Sequence, residues 1–470
     1  MITALLPEII IGIASLFFFT SSLLDLKDRT VVNAAIGFSG LSIAAALISL
    51  GSHGDFFYYA YGVDRFSRFF VLLITGTFFL ACIITKGMKQ IPSEKISELY
   101  FFISVVVLGL IMITTARELI TLFIALELAS YPLYIITSYR TGLGYQFEAA
   151  VKYMIFGVVS TAFMLYGISY LYGAFGTTFL HEIVAEVHGH MDNSLAIAGA
   201  ILFLVGLAYK LALFPFHFWA PDVYAGAAGE VVTFLASLPK LGAIALLVRT
   251  VSMFSGMENL LPVLAVLAVL SMTAGNLMAL NQQELKRLLA YSAVSHAGYM
   301  FLGLLAPDQG GFTAMLFYGT VYAIMSLGAF LVALQVAGDE KGDIPLSNLK
   351  GLWGRSPLMA ILLTIALASL AGLPPTGGFT GKLLLLTAAW KAGYLWAAVA
   401  GVLNTVIGIY VYLKAIKISL VGDEEDTHAL LASPTAIRIA AAAICITLLY
   451  LGITPGKLIS MADMAVNALS

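Results

Sequence analysis

Long apolar segments dominate this sequence. A helix needs about 20 apolar residues to cross the hydrocarbon core of a bilayer, and runs of that order occur fourteen times along the 470 residues, separated by short polar breaks. They cover residues 3–24, 31–50, 66–85, 99–115, 118–139, 147–174, 195–225, 230–250, 258–280, 285–305, 311–337, 357–390, 394–419 and 432–453. The sequence therefore predicts an all-α membrane protein with about 14 transmembrane helices.

The composition agrees with a lipid environment. Charged residues make up 11% of the chain and hydrophobic residues 60%, whereas soluble domains carry about 25% charged residues. The formal net charge of −2 leaves no basic surface that could neutralise phosphates, and the aromatic residues do not interleave with Lys and Arg. We therefore expect the lipid bilayer as a partner and no nucleic acid.

The distribution of basic residues predicts the orientation. Cytoplasmic loops of membrane proteins carry an excess of Lys and Arg. When alternate loops and helix ends are pooled, one side of this chain holds fourteen basic residues, from Lys27 to Arg438, and the other holds six, from Arg65 to Lys457. We expect the richer side to face the cytoplasm, which places both termini on the periplasmic side.

Two of the fourteen segments are interrupted by proline. Pro215 lies in LALFPFHFWAPD, and Pro374 and Pro375 lie in LAGLPPTGGFTGK. The interruptions are five segments apart, which is expected if segments 4–8 and 9–13 are two copies of one five-helix unit. Because each copy has an odd number of helices, the second would be inverted, and inverted repeats with broken helices are typical of ion transporters. The alternative is that each proline only kinks a packing helix.

These patterns predict four regions along the chain. Residues 1–98 would hold helices 1–3, residues 99–255 the first five-helix repeat, and residues 256–420 the second, inverted repeat. Residues 421–470 would form a loop, helix 14 and a short tail. The run Asp423–Asp426 is then a solvated cytoplasmic loop.

Five charged residues fall inside the predicted spans: Glu127, Lys152, Lys210, Lys240 and Lys382. A charge at the bilayer centre costs about 2.5 to 3.5 kcal/mol on insertion scales, so these side chains are expected to face the protein interior. Buried Lys and Glu can exchange protons near neutral pH. For each lysine the alternative is a structural ion pair or a snorkelling side chain, above all for Lys152, near a cytoplasmic helix end.

Histidines and cysteines add weaker signals. His217 and His296 lie within spans and can relay protons, although each can equally be a satisfied core histidine. Cys82 and Cys445 stand alone in apolar runs, and HEIVAEVHGH (181–190) lacks HExxH spacing. We therefore predict no metal site, no disulfide and a solvated outer loop at 181–190.

Four segments together resemble the antiporter-like subunits of respiratory complex I. They are LFIALELASYPLY around Glu127, GLAYKLALFPFHFWAPDVYAGA around Lys210, LKRLLAYSAVSHAGYM around His296 and AGLPPTGGFTGK around Lys382. The resemblance extends over nearly the whole chain. It implies that Glu127 pairs with Lys210, that Lys240 matches the lysine of the eighth helix and that Lys382 matches the terminal ionisable residue of the broken twelfth helix.

Within that family the chain looks most like the N type, because the M type usually has Glu at the last position and the L type adds a long lateral helix. The resemblance implies a proton-translocating subunit of a bacterial NADH:quinone oxidoreductase in the cell inner membrane. FMN, iron–sulfur clusters and quinone would then lie in partner subunits, with no cofactor here. Expected partners are an M-type antiporter-like neighbour, small K-, J- and A-type subunits and the lateral helix of the L-type subunit.

Two other functions fit the sequence. A subunit of a multi-subunit cation/proton antiporter shares the same fold and charged residues, and copurifying flavin and iron–sulfur subunits would distinguish the two. A membrane scaffold that keeps the charges only as packing pairs is the second, and proton pumping by charge-neutralised variants would decide it.

Overall fold

The computed structural model describes residues 2–86, 90–140, 144–186, 193–251, 260–337, 343–421, 431 and 433–469. These residues form nineteen α-helices and one short hairpin. The helices are α1 (Leu6–Leu23), α2 (Asp28–Ile48), α3 (Arg65–Ile84), α4 (Ile96–Thr115), α5 (Leu119–Ile136), α6 (Tyr145–Phe175), α7 (Leu180–Glu186), α8 (Ser194–Lys210), α9 (Trp219–Gly226), α10 (Gly229–Thr250), α11 (Leu260–Leu280), α12 (Leu285–Leu302), α13 (Gly311–Ala337), α14 (Leu352–Arg355), α15 (Pro357–Ala371), α16 (Gly377–Lys391), α17 (Leu395–Leu420), α18 (Thr435–Ile453) and α19 (Gly456–Val466). Strands β1 (Gly54–Phe56) and β2 (Tyr61–Val63) pair antiparallel.

Twelve of the helical segments are long and apolar enough to cross a membrane. They coincide with twelve of the fourteen segments predicted from the sequence. The other two predicted segments are the interrupted ones, and each is observed as two shorter helices, α8 with α9 and α15 with α16. The prediction of an all-α membrane protein is confirmed.

The breaks lie where the prolines predicted them. Helix α8 ends at Lys210 and α9 begins at Trp219, while α15 ends at Ala371 and α16 begins at Gly377. Proline has no N–H and its ring clashes with the preceding turn of a helix, so the chain leaves helical geometry at these points. Backbone groups freed at membrane depth must then be satisfied by other protein groups or by water.

Three helices form the centre of the molecule. Nearly all residues of α10, α12 and α13 are buried, whereas α6, α11, α17 and α18 each present an apolar outer face. Because lipid tails are as apolar as these outer faces, the polar side chains concentrate along the central helices, where other protein groups can bind them.

The two five-helix units pack alike. Helix α4 contacts α5 as α11 contacts α12, and α6 contacts both halves of the first broken helix as α13 contacts both halves of the second. Glu118, immediately before α5, forms an antiparallel bridge with Phe179, and Glu284, immediately before α12, forms one with Pro345. Each bridge encloses the same length of chain. This agreement supports two related units, and the boundaries and the inversion of these units remain predictions.

Four elements were not predicted. The hairpin of β1 and β2 joins α2 to α3, α7 forms within the first part of the expected loop at 181–190, α14 precedes the second broken helix, and the expected tail contains α19. Helix α19 packs against α3 and α13, and Thr313 donates a 2.5 Å hydrogen bond to Asp463. The acidic run Asp423–Asp426 and part of the histidine segment, residues 187–190, lie outside the described residues.

Candidate functional site

Lys210 and Glu127 meet at the first broken helix. Lys210 is the last residue of α8, and its Nζ lies 3.7 Å from Glu127 Oε1 on α5. Nζ also donates to Ser130 Oγ at 2.7 Å and to Tyr134 Oη at 3.2 Å, while Thr161 Oγ1 donates to Glu127 Oε1 at 2.9 Å. The other carboxylate oxygen, Oε2, has no hydrogen-bond partner among the described residues. The implied pair is therefore present, with hydroxyl groups around it and one free acceptor.

Lys240 lies near the middle of α10, directly after Pro239, and is buried. Its Nζ donates to the Ala293 carbonyl on α12 at 3.1 Å and lies 4.6 Å from the centre of the Tyr322 ring. Among the described residues no carboxylate lies within ion-pair distance of this ammonium. A buried charge held only by a carbonyl and a ring face is costly, so this lysine is suited to gaining and losing a proton.

Lys382 lies in the first turns of α16, beyond the second break. Its Nζ donates to the carbonyls of Leu370 and Ala371, 3.0 and 3.1 Å away, at the C-terminal end of α15. The last carbonyls of a helix have no intrahelical partner and carry partial negative charge. The ring of Tyr299 lies 4.5 Å from Nζ on another side. The break thus creates the acceptors that hold this buried ammonium without a carboxylate.

His296 lies between the two unpaired lysines. It is 1% exposed on α12, and its Nδ1 contacts Tyr318 Oη while its Nε2 lies 3.2 Å from Tyr412 Oη. The rings of Tyr322 and Tyr299, which face Lys240 and Lys382, lie with their centres 5.4 and 6.3 Å from the imidazole. His296 therefore belongs to one cluster of tyrosines that extends from Lys240 to Lys382.

A cavity of about 40 Å³ lies between Lys210 and Lys240, and Ser130, Tyr153 and Tyr209 also line it. A water molecule needs roughly 10 to 15 Å³ of such space and two to four polar partners, and this cavity offers both. Together with the His296 cluster, it links Glu127, Lys210, Lys240 and Lys382 in a single line through the interior.

The two remaining predicted residues lie apart from this line. Lys152 does not face the interior as expected: its side chain is 39% exposed, and Nζ lies 2.7 Å from both Glu148 and Asp222. This arrangement matches the structural alternative. His217 is buried in the first break between the rings of Phe214 and Phe218, with ring centres 5.4 and 4.6 Å away. No hydrogen bond reaches its Nδ1 among the described residues.

Several buried charges were not identified as interior from the sequence. Lys286 and Arg140 are 1% and 2% exposed, and both donate to the Ala225 carbonyl at the end of α9, at 2.9 and 2.8 Å. At the other end of α10, Arg249 donates to both oxygens of Asp64, the N-cap of α3. These residues stand near the ends of apolar runs, where a sequence does not distinguish a solvated side chain from a capping one.

No group of three His, Cys, Asp or Glu side chains that could hold a metal ion occurs in the part of the chain that the structure describes. Cys82 and Cys445 are free and buried.

The sequence is similar to known membrane subunits. The profile of the family described as "NADH:quinone oxidoreductase/Mrp antiporter, TM" matches residues 116–408. A protein of Solidesulfovibrio magneticus named NADH-quinone oxidoreductase subunit N 2 is 41% identical over 469 residues, which covers 100% of this chain and 99% of that protein. The chain belongs to this NADH:quinone oxidoreductase and Mrp antiporter family.

The fold of this chain is also similar to solved structures of membrane complexes. One chain of respiratory complex I from Thermus thermophilus with bound aureothin is 33% identical and superimposes with a TM-score of 0.84, over 97% of this chain and 98% of that one. A chain of the Mrp complex from Dietzia sp. DQ12-45-1b is 21% identical with a TM-score of 0.86, over 100% and 98%. This second likeness shows the antiporter-like fold alone.

Proposed function

We propose that this chain is the antiporter-like N-type subunit of a bacterial NADH:quinone oxidoreductase and translocates protons across the cell inner membrane. The observation that carries this proposal is the buried line from the Glu127–Lys210 pair through Lys240 and His296 to Lys382. Lysines held only by carbonyls and ring faces would be a costly way to build a scaffold. The relatives named as subunit N supply the identity of the complex.

The mechanism follows from the charges along this line. While Glu127 neutralises Lys210, the ammonium of Lys210 has little effect on Lys240. If a change in a neighbouring subunit separates the pair, the uncompensated charge of Lys210 disfavours a proton on Lys240, because like charges oppose joint protonation. A proton leaving Lys240 can pass through the His296 cluster to Lys382. When Lys240 is protonated again, repulsion between the ammonium groups of Lys240 and Lys382 favours release of the proton from Lys382 on the other side.

The redox chemistry belongs to partner subunits in this proposal. NADH oxidation and quinone reduction, with FMN and iron–sulfur clusters, would occur there and drive the separation of Glu127 from Lys210. The expected neighbours are the M-type antiporter-like subunit, the small K-, J- and A-type subunits and the lateral helix of the L-type subunit. The exposed apolar faces of α6 and α17 offer surfaces for them or for lipid.

The orientation is a further part of the proposal, with both termini periplasmic and the second repeat, residues 256–420, inverted relative to residues 99–255. Gly51 and Gly354 are exposed positions where an added Cβ meets nothing within 4 Å. Gly51→Cys should react with a membrane-impermeant thiol reagent from the periplasm and Gly354→Cys only from the cytoplasm. Reaction of both from one side would remove this topology. The native Cys82 and Cys445 are buried, so the protein without an added cysteine should label little and gives the background for both reactions.

The alternative, a subunit of a multi-subunit cation/proton antiporter, is favoured by the fold shared with the Mrp chain. Purification of the complex distinguishes the two, because only the oxidoreductase would carry flavin and iron–sulfur subunits with this chain.

Proton pumping by a Lys240→Ala variant tests the proposed function. In proteoliposomes holding the assembled complex, we expect about a tenfold or larger loss of the NADH-driven pumping rate, since a general acid–base group typically contributes 100-fold or more. Lys391→Ala, at an exposed end of α16, is the matched control and should pump normally. Wild-type pumping by assembled Lys240→Ala would favour the scaffold function instead.

A further inference from the structure

A second cavity opens at the end of the molecule that is predicted to face the cytoplasm. It has a volume of about 290 Å³ and lies between α2, α3, α4 and the first turn of α10. Arg29, Asn33 and Lys86 line it and are exposed, whereas Glu230 lines it and is 4% exposed. Since water occupies about 30 Å³ per molecule in the liquid, several waters fit between the surface and Glu230.

Glu230 lines this cavity with a carboxylate that is only partly bonded. Its Oε1 accepts a 3.1 Å hydrogen bond from the Gln90 backbone N–H, and its Oε2 has no hydrogen-bond partner among the described residues. A buried carboxylate oxygen without a partner is rare in folded proteins and calls for a water, an ion or a proton. No Lys or Arg of the described residues lies within ion-pair distance of Glu230.

Charged groups surround Glu230 on both sides at longer range. Arg140 and Lys286 act on its charge from the protein interior. Tyr100 and three charged residues, Asp28, Arg29 and Lys86, share the cavity. Burial of the carboxyl favours its neutral form and the surrounding positive charges favour its ionised form, so the two act on this group in opposite directions.

A polar stripe on α10 connects Glu230 to Lys240. Thr233 and Ser237 lie three and seven residues after Glu230, and Lys240 lies three residues after Ser237. Spacings of three and four residues place side chains on one face of a helix, with successive Cβ atoms about 5 to 6 Å apart. All four side chains are buried. No other polar side chain occurs in α10 between Glu230 and Lys240.

The hydroxyls of this stripe can carry a proton. Thr233 donates to the Gly229 carbonyl and Ser237 to the Thr233 carbonyl, each at 2.8 Å, so both oxygens keep free lone pairs. Pro239 lacks an N–H and leaves the carbonyl of Leu235 without its helical donor, which gives a water between the hydroxyls a further acceptor.

From this geometry we propose that Glu230 is the residue that takes up protons from the cytoplasm for Lys240. The proposal rests on the proposed function of Lys240. A hydronium ion in the cavity transfers its proton to the Glu230 carboxylate, which becomes a neutral acid. That proton passes to the stripe while Ser237, or a water beside it, gives its own proton to the neutral amine of Lys240. One proton enters, one ammonium forms, and the hydroxyls and the carboxylate return to their initial states.

A purely structural role for Glu230 makes a different prediction. Through Oε1, Glu230 holds the chain at Gln90, and Glu230→Gln keeps a carbonyl oxygen for that hydrogen bond while it removes the titratable group. If Glu230 is only structural, Glu230→Gln should behave as wild type. If it takes up protons, Glu230→Gln should fail where Glu230→Asp still functions.

The test uses the complete complex in proteoliposomes, with initial rates of NADH-driven proton uptake from pH 6 to 9. We expect Glu230→Gln to assemble and to lose about tenfold or more of its rate at the alkaline end, because uptake then depends on free hydronium, which falls with rising pH. Glu230→Asp should regain much of the rate, and the exposed Glu94→Gln at the same end should match wild type. Thr233→Val keeps the side-chain volume and removes the hydroxyl. It should slow pumping while the hydrogen bond from the Gln90 backbone N–H to Glu230 is kept.

The outcomes separate this inference from the proposed function. If Lys240→Ala abolishes pumping and Glu230→Gln pumps as wild type at every pH, only the uptake role of Glu230 is wrong. If Lys240→Ala itself pumps normally, the proposed function is wrong. If Glu230→Gln does not assemble, Thr233→Val decides, and a wild-type rate and pH profile for that variant would overturn the route along α10.

Discussion

The two broken helices hold their lysines in different ways. Lys210, at the first break, has a carboxylate partner, Glu127, and two hydroxyl acceptors. Lys382, at the second break, has only the carbonyls at the end of α15 and the ring of Tyr299. Deprotonation of Lys210 would leave a buried carboxylate uncompensated, whereas deprotonation of Lys382 leaves neutral groups. Lys210 is thus suited to stay charged and control its neighbours, and Lys382 is suited to release a proton.

The largest contrast should appear in stability. Lys210→Ala leaves the Glu127 carboxylate buried with Thr161 as its hydrogen-bond donor, and breaking a buried pair costs about 3 kcal/mol or more. Lys382→Ala leaves the carbonyls of Leu370 and Ala371 without this donor, which costs less than an unpaired buried charge because the carbonyls are neutral. Thermal unfolding of the purified complex should therefore show a lower midpoint for Lys210→Ala than for Lys382→Ala. The combined Glu127→Gln/Lys210→Ala variant should recover part of the loss, and equal midpoints for the two lysine variants would remove the contrast.

A double-mutant cycle on pumping should separate the pairs next. Glu127→Gln and Lys210→Ala, measured alone and together, should deviate from additivity by about 1 to 2 kcal/mol in the free energy of activation, as expected for contacting residues. Glu127→Gln combined with Lys391→Ala is the distant control and should be additive. Additive losses for Glu127 and Lys210 would mean that they do not act as a pair.

A smaller effect is expected at Tyr299. Tyr299→Phe keeps the ring face over Lys382, while Tyr299→Leu removes it, and a cation–π contact contributes about 0.5 to 2 kcal/mol. Pumping should be slower in Tyr299→Leu than in Tyr299→Phe. The hydroxyl of Tyr299 donates to the Gly401 carbonyl at 2.9 Å and lies 2.8 Å from Thr405 Oγ1, so a Phe variant as slow as the Leu variant would assign the effect to these hydrogen bonds instead.

The smallest effect on pumping is expected for Asp64, which pairs with Arg249 outside the line of lysines. Burial alone would raise the pKa of this carboxyl, but Arg249, the Ser67 backbone N–H and Arg117 together hold the pKa below its usual value. A lowered pKa stabilises the folded state at every pH above the usual value, and this contribution disappears only as the pH falls through the lowered one. Asp64→Asn should therefore lower the unfolding temperature equally from pH 5 to 8 and leave the pH profile of pumping unchanged. A shifted profile would bring Asp64 into the proton path.

The sequence predicted the spans and the two breaks, and it placed five intramembrane charges in the interior, where four of them lie. Each of these predictions depends on a local property: apolar length, proline or a charge inside an apolar run. Partners from distant segments could not be predicted. The Ala293 carbonyl that binds Lys240 and the ring of Tyr299 that faces Lys382 both come from α12. No local pattern shows which carbonyl or ring a lysine on another helix will contact. Only the resemblance to the family implied the Glu127–Lys210 contact.

Residues near helix ends were the most difficult to place. Lys152 and Lys286 both stand near the start of a long helix, yet Lys152 is partly exposed beside Glu148 and Asp222, and Lys286 is buried against the Ala225 carbonyl. Whether such a lysine is solvated depends on which helix end packs over it. Helix α19 has 11 residues, far fewer than a span requires, so a search for apolar length could not find it.

The most direct test of the difference between the two breaks is the number of protons pumped per electron by assembled Lys382→Ala, measured beside Lys391→Ala on the same helix. If Lys382 releases the proton, this ratio should fall below the wild-type value in Lys382→Ala, recover in part in Lys382→Glu, which restores a titratable group, and remain at the wild-type value in Lys391→Ala. A wild-type ratio in assembled Lys382→Ala would contradict a proton path through the second break and leave Lys382 as a cap for the end of α15.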